Sequence, residues 1–213
     1  DNTMCRLLMN SRKVSSDEFS GDMLLVRDII IKYIQRGIMR YDIANEGYTI
    51  AGLEKDVDWQ CPISNGRMVN LSGRADRIDR RADGSLQIID YKSGNTPHLE
   101  YNGMEALFRG GAQERVSNIF QTMLYSMILH RKYKLESYPS LYFASKMLND
   151  DYSPLILDRT TGAYVERFSD ISEEFESELN ATLEELFDYS TPFRQTEDED
   201  MCKYCDFKKI CRR

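Results

Sequence analysis

Hydrophobic positions along the chain change period several times, and each change marks an element. From Asp22 to about Asp42, residues Met23, Val26, Ile29, Ile30, Tyr33, Ile34 and Ile38 recur at three- and four-residue steps, the spacing of one apolar helix stripe. Tyr48–Trp59 (YTIAGLEKDVDW) is rich in β-branched and aromatic residues and predicts a strand. A turn at Asn65-Gly66 precedes a second strand, from Met68 to about Asp79. A turn at Asp83-Gly84 then leads into LQIIDYKS, a short segment apolar on both faces; the Asp-Gly link predicts a hairpin. Ser93–Ala112 reads as a long loop with one helical turn, and Gln113–Tyr133 returns to helical spacing with Ile119, Phe120, Met123, Met127 and Ile128 inward. SLYFASKML predicts a strand, PLILD a further short one, and Glu173–Tyr189 a third helix with Phe175, Leu179 and Leu183 on one side. This order predicts an α/β chain with a central mixed β-sheet flanked by helices.

Composition narrows the class. The 213 residues include 13 Tyr and 9 Phe, too many aromatics for intrinsic disorder. No apolar run approaches the ~18 residues of a membrane span, and no leader-like segment is visible, so the expectation is a cytoplasmic chain without membrane partners. The net charge of −7 argues against broad electrostatic coating of nucleic acid. Charge is uneven, however. Arg67, Arg74, Arg77, Arg80 and Arg81 cluster around Asp76 and Asp79, and the C-terminus carries Lys203, Lys208, Lys209, Arg212 and Arg213. An odd count of five cysteines disfavours a disulfide framework.

The sharpest chemistry lies in the hairpin GRADRIDRRADGSLQIIDYKSG. Strand alternation puts Asp90 and Lys92 on one face and Tyr91 on the other. Ile88 and Ile89 mark a strand buried on both sides, where charges need partners. Asp76, on the preceding strand, is placed to approach Asp90. Two close carboxylates repel unless a cation lies between them, and Mg²⁺ (or Mn²⁺) suits such a pair. Lys92 would orient an attacking water or offset developing charge. The plainer alternative is an Asp90–Lys92 or Asp76–Arg77 ion pair that sets the hairpin register.

GRADRID…GSLQIIDYKSG resembles motifs of the PD-(D/E)XK nuclease superfamily, specifically its RecB/AddB-type exonuclease branch. The resemblance implies a restriction-endonuclease-like core over residues 22–195, with Asp76, Asp90 and the Tyr91 carbonyl as metal ligands and Lys92 as the catalytic lysine. Glu54 resembles an upstream glutamate near the metal, and Gln121 and Tyr125 resemble the family's Q-x-x-x-Y helix. DNA is the implied substrate, a helicase domain or subunit the implied partner, and break repair the implied setting. Arg74 and Arg77 are candidates for contacts to the DNA backbone. The alternative function is a catalytically impaired DNA-binding or scaffold module of the same fold.

The tail, residues 196–213, holds Cys202, Cys205 and Cys211 as C-x2-C-x5-C, a spacing that suits a soft metal centre. Zinc, a redox pair and unpaired thiols are the competing readings. Resemblance to AddB-type nucleases implies a [4Fe–4S] cluster with a fourth, upstream cysteine. Cys5 and Cys61 do not sit in the expected segment, and the two histidines, His98 and His130, both follow the catalytic strand, whereas the family's metal-touching histidine precedes it. The expectation is a piece of a longer protein, residues 1–21 being an irregular cut end.

Overall fold

The computed structural model describes residues 21–44, 47–64, 66–94, 98–111 and 116–212. The N-terminal segment with Cys5, the turn residue Asn65 and the expected helix start at Gln113 lie outside the described residues.

The chain divides into two compact units. The smaller begins with helix α1 (Asp22–Lys32), which runs through a π-helical turn (Tyr33–Ile38) into α2 (Met39–Ala44). The π turn is set by the Met39 N–H donating to the carbonyl of Ile34, five residues back. Segment Phe143–Ser153 belongs to the same unit. It is tied down by Arg40, which bonds Asp150 at 2.7 Å and the carbonyls of Met147 and Asn149 at 3.1 Å each. The Tyr41 hydroxyl adds a bond to the Tyr152 carbonyl at 2.8 Å.

The larger unit is built on a four-stranded sheet in the order β1-β2-β3-β5. Strands β1 (Thr49–Pro62) and β2 (Met68–Arg80) pair antiparallel from Thr49↔Arg80 to Pro62↔Met68, with a bulge between Ile50 and Gly52. β2 and β3 (Leu86–Lys92) pair antiparallel over a shorter ladder, from Arg77↔Ile89 to Arg80↔Leu86. Their turn is the expected one: Gly84 has a φ of 84°, and the Asp83 carboxylate accepts the Ser85 N–H at 2.9 Å. Burial of both Ile88 and Ile89 agrees with the continuous apolar run in the sequence.

After β3 come β4 (Glu100–Tyr101) and α3 (Met104–Arg109), a short strand and a helix where the sequence predicted loop with one helical turn. α4 (Ser117–Tyr133) follows, burying Ile119, Met123, Met127 and Ile128 as its spacing predicted. β5 (Ser137–Phe143) starts and ends earlier than expected. The strand includes Pro139, which is tolerated because β5 is a sheet edge, where a missing N–H need cost no ladder bond. β6 (Ile156–Asp158) and β7 (Ala163–Val165) form a separate three-stranded sheet with β4. A 3₁₀ turn (Phe168–Asp170) leads into α5 (Ser172–Leu186), and a second one (Glu199–Cys202) opens the cysteine segment.

The amphipathic stripes of α3, α4 and α5 meet in an aromatic cluster. Phe175 lies 5.2 Å from Phe108, 6.0 Å from Phe120 and 5.8 Å from Phe168, centroid to centroid, in tilted or edge-on arrangements. Phe175 and Phe168 are fully enclosed. Phe175→Ala is therefore expected to cost about 3–5 kcal/mol, read as a lowered urea-unfolding midpoint with unchanged slope.

Candidate active site

Register creates the site. The β2–β3 ladder ends at Arg77↔Ile89, and one further rung sets Asp76 level with Asp90. The Tyr91 N–H donates to the Asp76 carboxylate at 2.8 Å, which fixes the Asp76 side chain against the end of β3. Asp90 is 2% exposed, and its Oδ2 lies 2.6 Å from the Lys92 ammonium. Lys92 also reaches the Gln121 side-chain carbonyl at 3.5 Å, and the Gln121 amide donates to the Tyr125 hydroxyl at 2.9 Å. Gln121 and Tyr125 are one turn apart on α4, so a single helix face holds both.

Gly73 completes this chain of contacts. A Cβ at residue 73 would lie 2.4–2.7 Å from the Cε1, hydroxyl and Cζ atoms of Tyr125. Tyr125 is itself buried, so its ring has little room to retreat. The glycine three residues before Asp76 is thus required by close approach of a ring, and it secures Lys92 through Tyr125 and Gln121.

Burial raises the Asp90 pKa; the bond and charge of Lys92 oppose that rise, and the negative charge of Asp76 adds to it. No group of three or more His, Cys, Asp or Glu side chains gathers among the described residues. Two neighbouring carboxylates suit Mg²⁺, which binds through one or two carboxylates and keeps waters and phosphate oxygens.

Other expected residues fall in varied places. Glu54 lies on β1 between the pairs Leu53↔Arg77 and Lys55↔Ala75, hence level with Asp76. Its side chain is exposed and its φ is 47°, a left-handed backbone that costs a non-glycine residue about 1–2 kcal/mol. Arg74 is exposed and pairs with Asp56 at 2.8 Å, a link of small energetic weight. Arg77 requires correction. It is 4% exposed and forks onto the carboxylate of Asp79, itself 2% exposed, with two contacts of 2.8 Å. It also donates to the Tyr91 hydroxyl at 3.1 Å and lies over the Tyr48 ring. Enclosed on the reverse face of the catalytic strands, Arg77 holds Tyr91 in place and is not presented to DNA. Pairing of Arg77 with a nearby aspartate such as Asp79 was the alternative to a DNA contact in the sequence, whereas Tyr48 was not singled out; the alternation of Arg77, Asp79 and Tyr91 opposite Asp76, Asp90 and Lys92 was the available signal.

Cys202, Cys205 and Cys211 are partly exposed free thiols. Cys61 is buried on β1 and its thiol lies 3.5 Å from the Asn180 carbonyl oxygen on α5; burial, then the charge of Glu176, pushes its pKa up. His130 lies near Glu136 (3.9 Å) and Phe168, and has no contact with the acidic pair.

An antiparallel hairpin thus brings two acids and a lysine together on one sheet face. The model of the PD-(D/E)XK nuclease superfamily matches residues 2–212, and the chain belongs to that superfamily of metal-dependent nucleases, whose members typically use Mg²⁺ or Mn²⁺. No curated protein matches the sequence significantly.

Two outcomes are expected. Mg²⁺ or Mn²⁺ should raise the thermal midpoint of the chain, by about 2.7 kcal/mol of added stability at 100 times Kd, and Asp76→Ala should abolish the shift. Gly73→Ala should displace Tyr125, seen as perturbed tyrosine near-ultraviolet dichroism with retained far-ultraviolet signal.

Proposed function

We propose that the chain is a Mg²⁺- (or Mn²⁺-) dependent deoxyribonuclease, acting as an exonuclease of the RecB/AddB type beside a helicase in DNA break repair. The observation that carries the nuclease reading is the contact series Asp90–Lys92–Gln121–Tyr125 alongside Asp76. An isolated structural ion pair would not require two further polar groups to orient its lysine. The exonuclease, helicase and repair parts of the proposal are supported by the sequence resemblance of GRADRID and IIDYKSG.

Asp76, Asp90 and the Tyr91 carbonyl are the proposed holders of the cation. Bound there, it supplies Lewis-acid polarisation of the scissile phosphate and a water of lowered pKa. Lys92, steered by Gln121, directs its ammonium protons at the attacking water or at charge developing on the phosphate oxygens. Asp90 holds the Lys92 side chain by proximity, and Tyr125 prevents Gln121 from turning away. Glu54, on the rung level with Asp76, is proposed as an outer carboxylate of the same site. Arg74 is the proposed backbone contact, since its bond to Asp56 is exposed and yields readily to a phosphate.

The 2.6 Å Lys92–Asp90 contact also serves a second reading, a non-catalytic DNA-binding module in which the pair only fixes register. Mutation separates the two. Lys92→Ala is expected to lower Mg²⁺-dependent degradation of linear DNA by about 10²-fold or more while keeping the metal-induced thermal shift. Equal degradation by both proteins would remove Lys92 from the chemistry; no degradation by the unaltered chain would favour the module.

The cysteine spacing supports a [4Fe–4S] cluster, although the three thiols do not gather around a common centre among the described residues. Iron and sulfide analysis after anaerobic purification distinguishes a cluster from zinc or free thiols: about four of each per chain is the expected result for a cluster.

A further inference from the structure

The helical unit carries a second concentration of chemistry. A cleft of about 600 Å³ is lined by Lys32, Gln35, Arg36, Arg40, Ile43 and Leu148. Lys32, Arg36 and Arg40 follow at four-residue steps along α1, the π turn and α2, so like charges stack on one helix face, an arrangement that destabilises a helix. Arg40 is engaged by Asp150 and two carbonyls. Lys32 and Arg36 are exposed and form no side-chain hydrogen bond or ion pair with a described residue. Among the described residues no acidic side chain lines the cleft. The π turn lies between the first and third cations, and such turns are frequent at functional sites.

We propose that this cleft holds the backbone of single-stranded DNA. Cations strung about 6 Å apart along a helix suit a polymer with regularly repeated charge; a small anion would need them to converge. Gln35 offers an amide donor to phosphate or base. Ile43 and Leu148 provide an apolar wall on which exposed bases can lie, which a duplex would keep stacked inside. The site lies in a different compact unit from Asp76, Asp90 and Lys92, and its ligand-binding role does not depend on their chemistry.

The test is fluorescence anisotropy with a labelled 20-nucleotide single strand in EDTA, so that no cleavage intervenes. The double variant Lys32→Glu/Arg36→Glu should bind about tenfold or more weakly, and its plot of log K against log salt should flatten by about 1.4. Hydrolysis of bis(p-nitrophenyl) phosphate, which has no polymer backbone for the cleft to hold, should be unchanged in the presence of Mg²⁺. If charge reversal disturbs folding by circular dichroism, Lys32→Gln/Arg36→Gln gives the same reading, with a smaller loss of affinity and the same flattening. Unchanged affinity and salt slope would overturn the proposal, as would selective loss of poly-glutamate binding with DNA binding intact. Failure of the unaltered chain to hydrolyse any phosphodiester would count against the nuclease reading alone, because the anisotropy arm still decides the cleft.

Discussion

Repulsion between two carboxylates on adjacent strands is the constraint from which the larger unit takes its meaning. Asp76 and Asp90 sit at the end of the β2–β3 ladder, where a hydrogen-bonded pair of strands gives way to side-chain chemistry. In a dry sheet this arrangement is unfavourable unless positive charge is supplied. The protein supplies one charge of its own, Lys92, 2.6 Å from Asp90. One ammonium against two carboxylates leaves a negative balance, the kind that a divalent cation would offset.

The reverse face of the same strands solves a different problem. Arg77 and Asp79 form an enclosed fork, and Arg77 also grips Tyr91, whose backbone faces Asp76. Buried ion pairs contribute little net stability, since desolvation offsets their attraction. Their use here is alignment. Sliding β3 by one residue would carry Tyr91 into the acidic cleft and Asp90 onto the guanidinium of Arg77, so both faces oppose the same error. The ring of Tyr125 over Gly73 then ties α4 to the hairpin and carries that alignment to the lysine.

Much of this was legible in the sequence because it depends on local periodicity. Alternation placed Asp90 and Lys92 together, the Asp-Gly turn joined β2 to β3, and the four-residue step from Gln121 to Tyr125 fell on one helix face. What escaped sequence reasoning depends on partners far apart along the chain. Arg77 looked like a surface cation because nothing local reveals that Tyr48 and Tyr91 enclose it. The bounds of β5 differ from those expected, and its proline is tolerable because the strand lies at a sheet edge, a property of topology. The π turn has no period of its own, and α3 is too short to show one. The cysteine spacing was legible as a motif, yet spacing does not bring three thiols to one point.

The sheet's outer strands have one more consequence. β1 is bulged beside Gly52 and turned left-handed at Glu54, while β5 has an imino acid in place of a donor at Pro139. Neither border offers an unbroken row of amides to a passing extended peptide. Fibril-like growth from this sheet would therefore have to begin with partial unfolding, so that conformational stability and resistance to aggregation rise and fall together in this chain.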